Sequence, residues 1–378
     1  MTDARSTQPS GDDPADDDPA DDAGPGAHST TTVRISGPGD LLDALPRMIG
    51  FVPTNSAVMV ALRPPRDRVT LTIRVDLPVR RQEASTARFL AGHAQRAGAT
   101  SAVLVIYDDR PPREGRRWPG ASLTREMRTA LRNNGKLALA DAVLVSNGRW
   151  RSLLCKDRSC CPASGQPLRD QSRPSAFTAA LVARGASALP SRAALAASVA
   201  GPSGPAAAAL ARLQAVAAEE LVARMEAGET VDEVRAETVA FFRAALVAWA
   251  SAAWEPLPDE FAARLLAGLV DIGARDVVLG WAGERDTDDL FSLLLVLAAR
   301  AVEPLDVPVL TALAWVAYAR GDGGLANIAV ERALSSDPDY TMAQLIRDAL
   351  TAGIPPSQAV LSMTPEEVAD SYRRQNQQ

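Results

Sequence analysis

Ala102-Val103-Leu104-Val105-Ile106-Tyr107 is the stretch on which the reading of the fold turns. Six apolar residues in succession, three of them β-branched, form the pattern of a strand covered on both faces, which belongs to a sheet flanked by helices. Working outward, Arg80 to Ala97 has helical spacing and stops at Gly98. On the other side Leu123–Asn133 is helical, with Gly135 beyond its end, and Ala142–Val145 is the next strand. Helix and strand in alternation predict an α/β layer.

Further upstream, Ser56–Leu62 and Val69–Leu77 are alternating, β-branched runs joined by Pro64-Pro65-Arg66-Asp67 and predict an antiparallel hairpin. Before them Val33-Arg34-Ile35 reads as a short strand. Leu41 to Ile49 then reads as a helix capped by Asp40 and ended by Gly50. Asn147-Gly148 suits a tight turn between Ala142–Val145 and a last strand, Arg149–Leu154.

The first 31 residues are Asp, Pro, Gly, Ser and Thr with almost no apolar side chain, and burial cannot offset the entropy of ordering them. This predicts a disordered acidic tail. Residues 1–27 hold eight aspartates against one arginine, a net of -7; with -6 for the whole chain, the remainder sums to +1. So small a sum gives no nucleic-acid signature and no attraction to an anionic membrane, though a local basic patch is compatible with it.

The polar, aspartate-rich start has no secretory leader pattern. The most apolar run, Phe291 to Val302, is interrupted by Arg300 and falls short of the roughly 20 residues that span a bilayer. A cytoplasmic protein is expected, and no membrane association.

Residues 162–175, rich in Pro, Gly, Ser, Gln and Arg, predict a loop or linker between an α/β domain over 32–161 and an all-α domain over 176–378. Thr230–Glu233 and Thr364–Glu367 have capping-box spacing and fix two helix starts. Gly228, Gly273 and Gly353 read as helix stops. Leu310 to Pro338 forms two helical segments around Gly321-Asp322-Gly323-Gly324, with small Ala314, Ala326 and Ala333 where the backbones approach; this is similar to one tetratricopeptide unit. Only one such unit is visible, which favours a local hairpin over a repeat array. Trp315 and Tyr318 read as core.

Cys155-Lys156-Asp157-Arg158-Ser159-Cys160-Cys161-Pro162 is the most unusual local feature. Three cysteines within seven positions are not a disulfide framework. As metal ligands, Cys155, Cys160 and Cys161 offer three of the four donors that structural zinc takes, with His93 as a further candidate and His28, in the tail, a poorer one. As reactive thiols they have basic neighbours, Lys156 and Arg158, that favour thiolate. Inert packing stands ahead of both readings, since cysteine behaves as a small hydrophobe. Pro162 favours an extended Cys161, which predicts that Cys160 and Cys161 point apart and that at most two of the three sulfurs share a site. Asp108 and Asp109 follow the buried strand at its carboxyl end, where open α/β sheets place ligands, and are ligand candidates; a solvated turn before Pro111-Pro112 is the competing reading. Dinucleotide-binding, phosphate-loop, hydrolase-elbow and zinc-protease motifs are absent from the sequence.

Four segments together resemble an actinobacterial domain-of-unknown-function family, DUF4192: Leu41 to Pro46 with Gly50-Phe51-Val52-Pro53; Asn147-Gly148-Arg149-Trp150; Cys155 to Pro162; and Ala314-Trp315 through Gly321-Asp322-Gly323 to Tyr340. The resemblance covers residues 32–356 and implies domain limits and an intracellular setting, with no catalytic assignment. On its tetratricopeptide-like hairpin and its lack of a catalytic motif, the chain reads as a regulatory or scaffold protein that binds a protein partner through its helical domain. The alternative is an enzyme or small-molecule sensor on the α/β domain, with a thiol or zinc site at the cysteines. The pattern leaves the ligand and the oligomeric state open.

Overall fold

A computed structural model describes residues 37–65, 67–110, 118–170, 173–183, 187–252, 256–283, 287–359 and 364–376. The acidic tail, the Val33–Ile35 strand and His28 lie outside the described residues.

The α/β part follows the hydrophobic pattern closely. Helix α1 (Pro38–Ile49) precedes the hairpin β1 (Ser56–Arg63) and β2 (Arg68–Asp76). Then come α2 (Glu83–Arg96), β3 (Ser101–Tyr107), α3 (Ala121–Asn133), β4 (Ala138–Ser146), β5 (Arg149–Ser152) and β6 (Gln166–Pro167). The sheet order is β2-β1-β3-β4-β5-β6. Only the β3/β4 pair, joined through α3, is parallel; the other pairs are antiparallel. A mixed sheet results because two helical crossovers, β2 over β1 to β3 through α2 and β3 to β4 through α3, are combined with the hairpins β1/β2 and β4/β5. Alternate residues of each strand point to opposite faces. Met59, Leu104, Ile106 and Leu144 meet Leu90, Met127 and Leu131 of α2 and α3 on one face. On the other face Val58, Val60, Val105 and Val143 meet Leu41, Leu42 and Leu45 of α1. This double coverage is why the β3 sequence is apolar throughout.

Two local expectations at α1 and β5 are corrected. The residue preceding α1 is Gly37, and Asp40 sits inside the first turn, where its charge favours the helix dipole and its carboxylate pairs with Arg169 at 2.7 Å. The last strand ends at Ser152, because Ser152 turns its hydroxyl back onto the N–H groups of Leu154 and Cys155, which takes them out of the ladder.

The rest of the chain is helical: α4 (Ala176–Ala183), α5 (Arg192–Ser198), α6 (Gly204–Glu226), α7 (Val231–Ala250), α8 (Asp259–Gly268), α9 (Ile272–Gly280), α10 (Thr287–Ala298), α11 (Asp306–Ala319), α12 (Gly323–Ser336), α13 (Thr341–Ala352) and α14 (Pro365–Asn376). Both capping boxes form. Thr230 accepts from the Glu233 N–H while Glu233 accepts from the Thr230 N–H, and Thr364 and Glu367 repeat the exchange. Gly353 ends α13 in the left-handed region. Gly273 does not stop a helix; it lies in α9, where a side chain would collide with Arg235. The hairpin of α11 and α12 buries Ala314, Ala326 and Ala333 completely, and Asp322 accepts from the Leu325 N–H as the α12 cap. Tyr318 is buried, and Trp315 packs on the same core from a half-buried position.

The described residues, all within 37–376, form one compact unit. Ile49 and Phe51 belong to the helical core, Phe51 pairs with Leu189, and the Ser175 N–H donates to Asp43 at 2.7 Å. At a second seam Arg96 donates to the Ala352 carbonyl, and His93 lies against Gly353. Among the described residues no helix is long and apolar enough to cross a membrane.

Candidate functional site

The loop of residues 153–165 links β5 to β6; Leu153 and Leu154 pack against the sheet core at its start, and polar residues of the loop and of the neighbouring strands hold the rest. Asp141 accepts from the Ser152 hydroxyl at 2.6 Å, and the same hydroxyl oxygen accepts from the N–H groups of Leu154 and Cys155. Asp157 accepts from the N–H of Ser159 at 2.8 Å and from its hydroxyl at 2.7 Å, an Asx turn that reverses the chain. The Cys161 N–H then closes that turn onto the Asp157 carbonyl at 2.8 Å. Serine hydrogen bonds hold the Asp157 carboxyl below the usual carboxylate range. Two arginines of β5 satisfy the return leg: Arg149 donates to the carbonyls of Ser164 and Gly165, Arg151 to those of Pro162 and Ala163. Arg151 also stacks on Trp118, with its guanidinium carbon 3.6 Å from the ring centroid. Gln166 donates to the Cys160 carbonyl at 3.0 Å.

The result of this framework is convergence. The sulfurs of Cys155, Cys160 and Cys161 all lie within 4.8 Å of one another, and those of Cys160 and Cys161 are 3.9 Å apart. The expectation that adjacent Cys160 and Cys161 diverge is therefore corrected. The closed turn from Asp157 to Cys161 overrides the extended preference that Pro162 places on Cys161, and it brings the two side chains to one side. Cys155 and Cys160 are exposed and Cys161 is half-buried; all three are free thiols. Burial and the adjacent thiols Cys155 and Cys160 push the Cys161 thiol up to about 11, against a hydrogen bond from the Ser152 backbone.

His93 does not join the sulfurs. Its ring is edge-on to Phe89 and hydrogen-bonded to Arg96. Burial, with the Arg96 charge beside it, lowers its pKa below the ordinary imidazole value. Asp108 and Asp109 part company at the end of β3. Asp108 is buried and bound by Arg110 through its backbone N–H and both arms of the guanidinium, at 3.1, 2.8 and 2.7 Å. Burial raises its carboxyl, but the Arg110 hydrogen bonds and charge outweigh this and hold it below the usual range. Asp109 is exposed and accepts from the Asn147 N–H at 2.8 Å, bracing the β4/β5 turn. A groove of about 590 Å³ bordered by Pro202, Ala208, Val302 and Arg332 lies in the helical part, and neither aspartate lines it.

Nothing in the sequence assigns Arg149, Arg151, Trp118, Ser152 or Gln166 to the cysteine loop. The legible signal was Asp157-Arg158-Ser159, an Asx-turn pattern between the first cysteine and the pair.

A mixed sheet layered by helices is followed by a helical array, and three thiols converge on the loop between β5 and β6. The match to the family model described as "Domain of unknown function (DUF4192)" runs over residues 38–357, and the chain belongs to that family. Neither the curated proteins nor the solved structures give a significant match.

Proposed function

We propose that this chain is a cytoplasmic regulatory or scaffold protein whose α/β part binds one soft metal ion, zinc by preference, through Cys155, Cys160 and Cys161. The carrying observation is the mutual approach of the three sulfurs within 4.8 Å. Thiolates about 2.3 Å from a tetrahedral zinc stand roughly 3.8 Å apart, and the Cys160–Cys161 separation of 3.9 Å already meets that requirement. Soft sulfur donors select zinc or monovalent copper over magnesium and calcium. Zinc offers no redox chemistry, so the ion's work is to fix the loop and the strand edge beneath it. Arg149, Arg151 and Gln166 engage the carbonyls of Cys160, Pro162, Ala163, Ser164 and Gly165, which leaves the thiols as donors on the return leg of the loop.

The helical part is the partner-binding half in this reading. The burial of small Ala314, Ala326 and Ala333 between α11 and α12 supports reading that hairpin as a tetratricopeptide-like partner surface. An enzyme or small-molecule sensor built on Asp108 and Asp109 is the weaker alternative. Arg110 and Asn147 engage their carboxylates, and the groove of the helical part does not include them.

Cobalt(II) titration of the reduced full chain tests the metal reading. The expected result is an intense near-ultraviolet thiolate-to-cobalt band that saturates at one ion per chain, is displaced by zinc, and is lost in Cys160→Ser. Weak cobalt absorption, unaffected by the serine variant, overturns it.

A further inference from the structure

The halves of the chain carry opposite charge. Residues 37–175 hold 23 Lys and Arg against 12 Asp and Glu, a net of +11; residues 176–378 hold 15 against 26, a net of -11. The near-zero sum beyond the tail concealed this division. Part of the positive half is ordered into a stripe on α3. Arg125, Arg128 and Arg132 recur at i, i+3 and i+7, Lys136 follows just past the helix end, and all four are exposed. Arg125 has Glu126 at 3.4 Å, whereas Arg128, Arg132 and Lys136 make no ion pair among the described residues. Like charges at this spacing repel by a few tenths of a kcal/mol per pair, so the stripe favours an anionic partner.

Helix α6 presents the counterpart. Ala215, Glu219, Val222 and Glu226 recur at i, i+4, i+7 and i+11, and all are exposed, Val222 by 49%. Glu219 and Glu226 make no ion pair among the described residues. The opposite side of α6 is occupied: Ala217 is buried, and Gln214 bonds the Arg300 carbonyl and the Val302 N–H. Arg125 to Arg132 on α3 and Glu219 to Glu226 on α6 each span an interval of seven residues, about two helical turns or roughly 10 Å, so the charges match in spacing as well as in sign.

We propose that the α3 stripe docks on the α6 stripe of a second copy of this chain. The chain itself supplies both charges, whereas a free polyanion would approach a molecule of net charge -6. Different patches meet in such a contact, so association is head-to-tail and gives rings or open chains rather than a two-fold dimer. The proposal is independent of the thiolate reading.

Sedimentation velocity of the full chain at about 50 mM and about 500 mM salt, where screening lengths differ severalfold, tests it. The expected result is a sedimentation coefficient that rises with protein concentration at low salt, with association at least about tenfold weaker at high salt. Arg128→Glu/Arg132→Glu and Glu219→Arg/Glu226→Arg, each checked for native circular dichroism, are expected to stay monomeric alone and to associate when mixed. A wild-type chain that is monomeric at low salt overturns the proposal. So does a mixture of the two variants that fails to associate, or a wild-type chain that binds random duplex DNA through α3 without self-associating.

Discussion

Asp108 illustrates how a residue's role departs from its position. The carboxyl end of a buried strand suggests a ligand, yet the side chain is wholly inaccessible and spent on Arg110. Asp108→Asn is expected to cost about 1–2 kcal/mol in urea unfolding, because a charge-assisted pair is lost and the surviving Arg110 is largely in water. The sign of the pH effect follows. Asp108 is held below the ordinary carboxylate value, as is Asp43, whose burial is outweighed by hydrogen bonds from Thr178 and Ser175. Both therefore contribute stability above the unfolded-state value and lose it as pH falls through the lower folded one. Melting temperature is expected to drop below about pH 4, and less steeply in Asp43→Asn than in wild type. No sequence signal marked Asp43, since its partners lie more than 130 residues away, at Ser175. Gly353 was legible as a helix stop, but its second duty was not. At φ 65 and against the His93 ring, it leaves no room for a methyl group. Gly353→Ala is expected to cost about 2–4 kcal/mol from strain and overpacking combined, measured by denaturant midpoint; an effect within experimental error would remove this seam from the account.

At the scale of elements, sequence reading succeeded where periodicity and local chemistry agree. The β1/β2 hairpin, the β3 and β4 strands and both capping boxes were readable because their determinants lie within a few residues. It failed where a distant group decides. Gly273 reads as a stop because glycine usually ends helices, but here it makes room for Arg235, which pairs with Asp271 at 2.8 Å. The cysteine loop failed for a related reason. Pro162 alone predicts an extended Cys161, while the turn is set by Asp157 and by arginines on the preceding strand. Asp322 offers a test at this scale. It is half-buried and caps α12 beside the Ile49–Gly50 end of α1, so Asp322→Ala is expected to lower stability by about 1 kcal/mol and Asp322→Asn by much less. Equal losses in the two variants would mean that the charge, rather than the cap, is what matters there.

For the whole molecule, the fold class was legible and the manner of joining was not. Hydrophobic period alone separates an α/β part from a helical part. Composition at residues 162–175 suggested only a linker, yet Phe51, Asp43 and His93 tie the halves from widely separated positions. Metal binding is expected to act on this whole, because an ion held by the folded loop stabilises the native state by mass action. Zinc at saturation is expected to raise the melting temperature of the reduced wild-type chain and to leave Cys155→Ser/Cys160→Ser/Cys161→Ser unchanged. The most direct test is zinc K-edge X-ray absorption on the reduced, zinc-loaded full chain. One zinc per chain is expected, with three sulfur neighbours at about 2.3 Å. A first shell of nitrogen and oxygen alone, or a chain that retains no zinc after desalting, would contradict it.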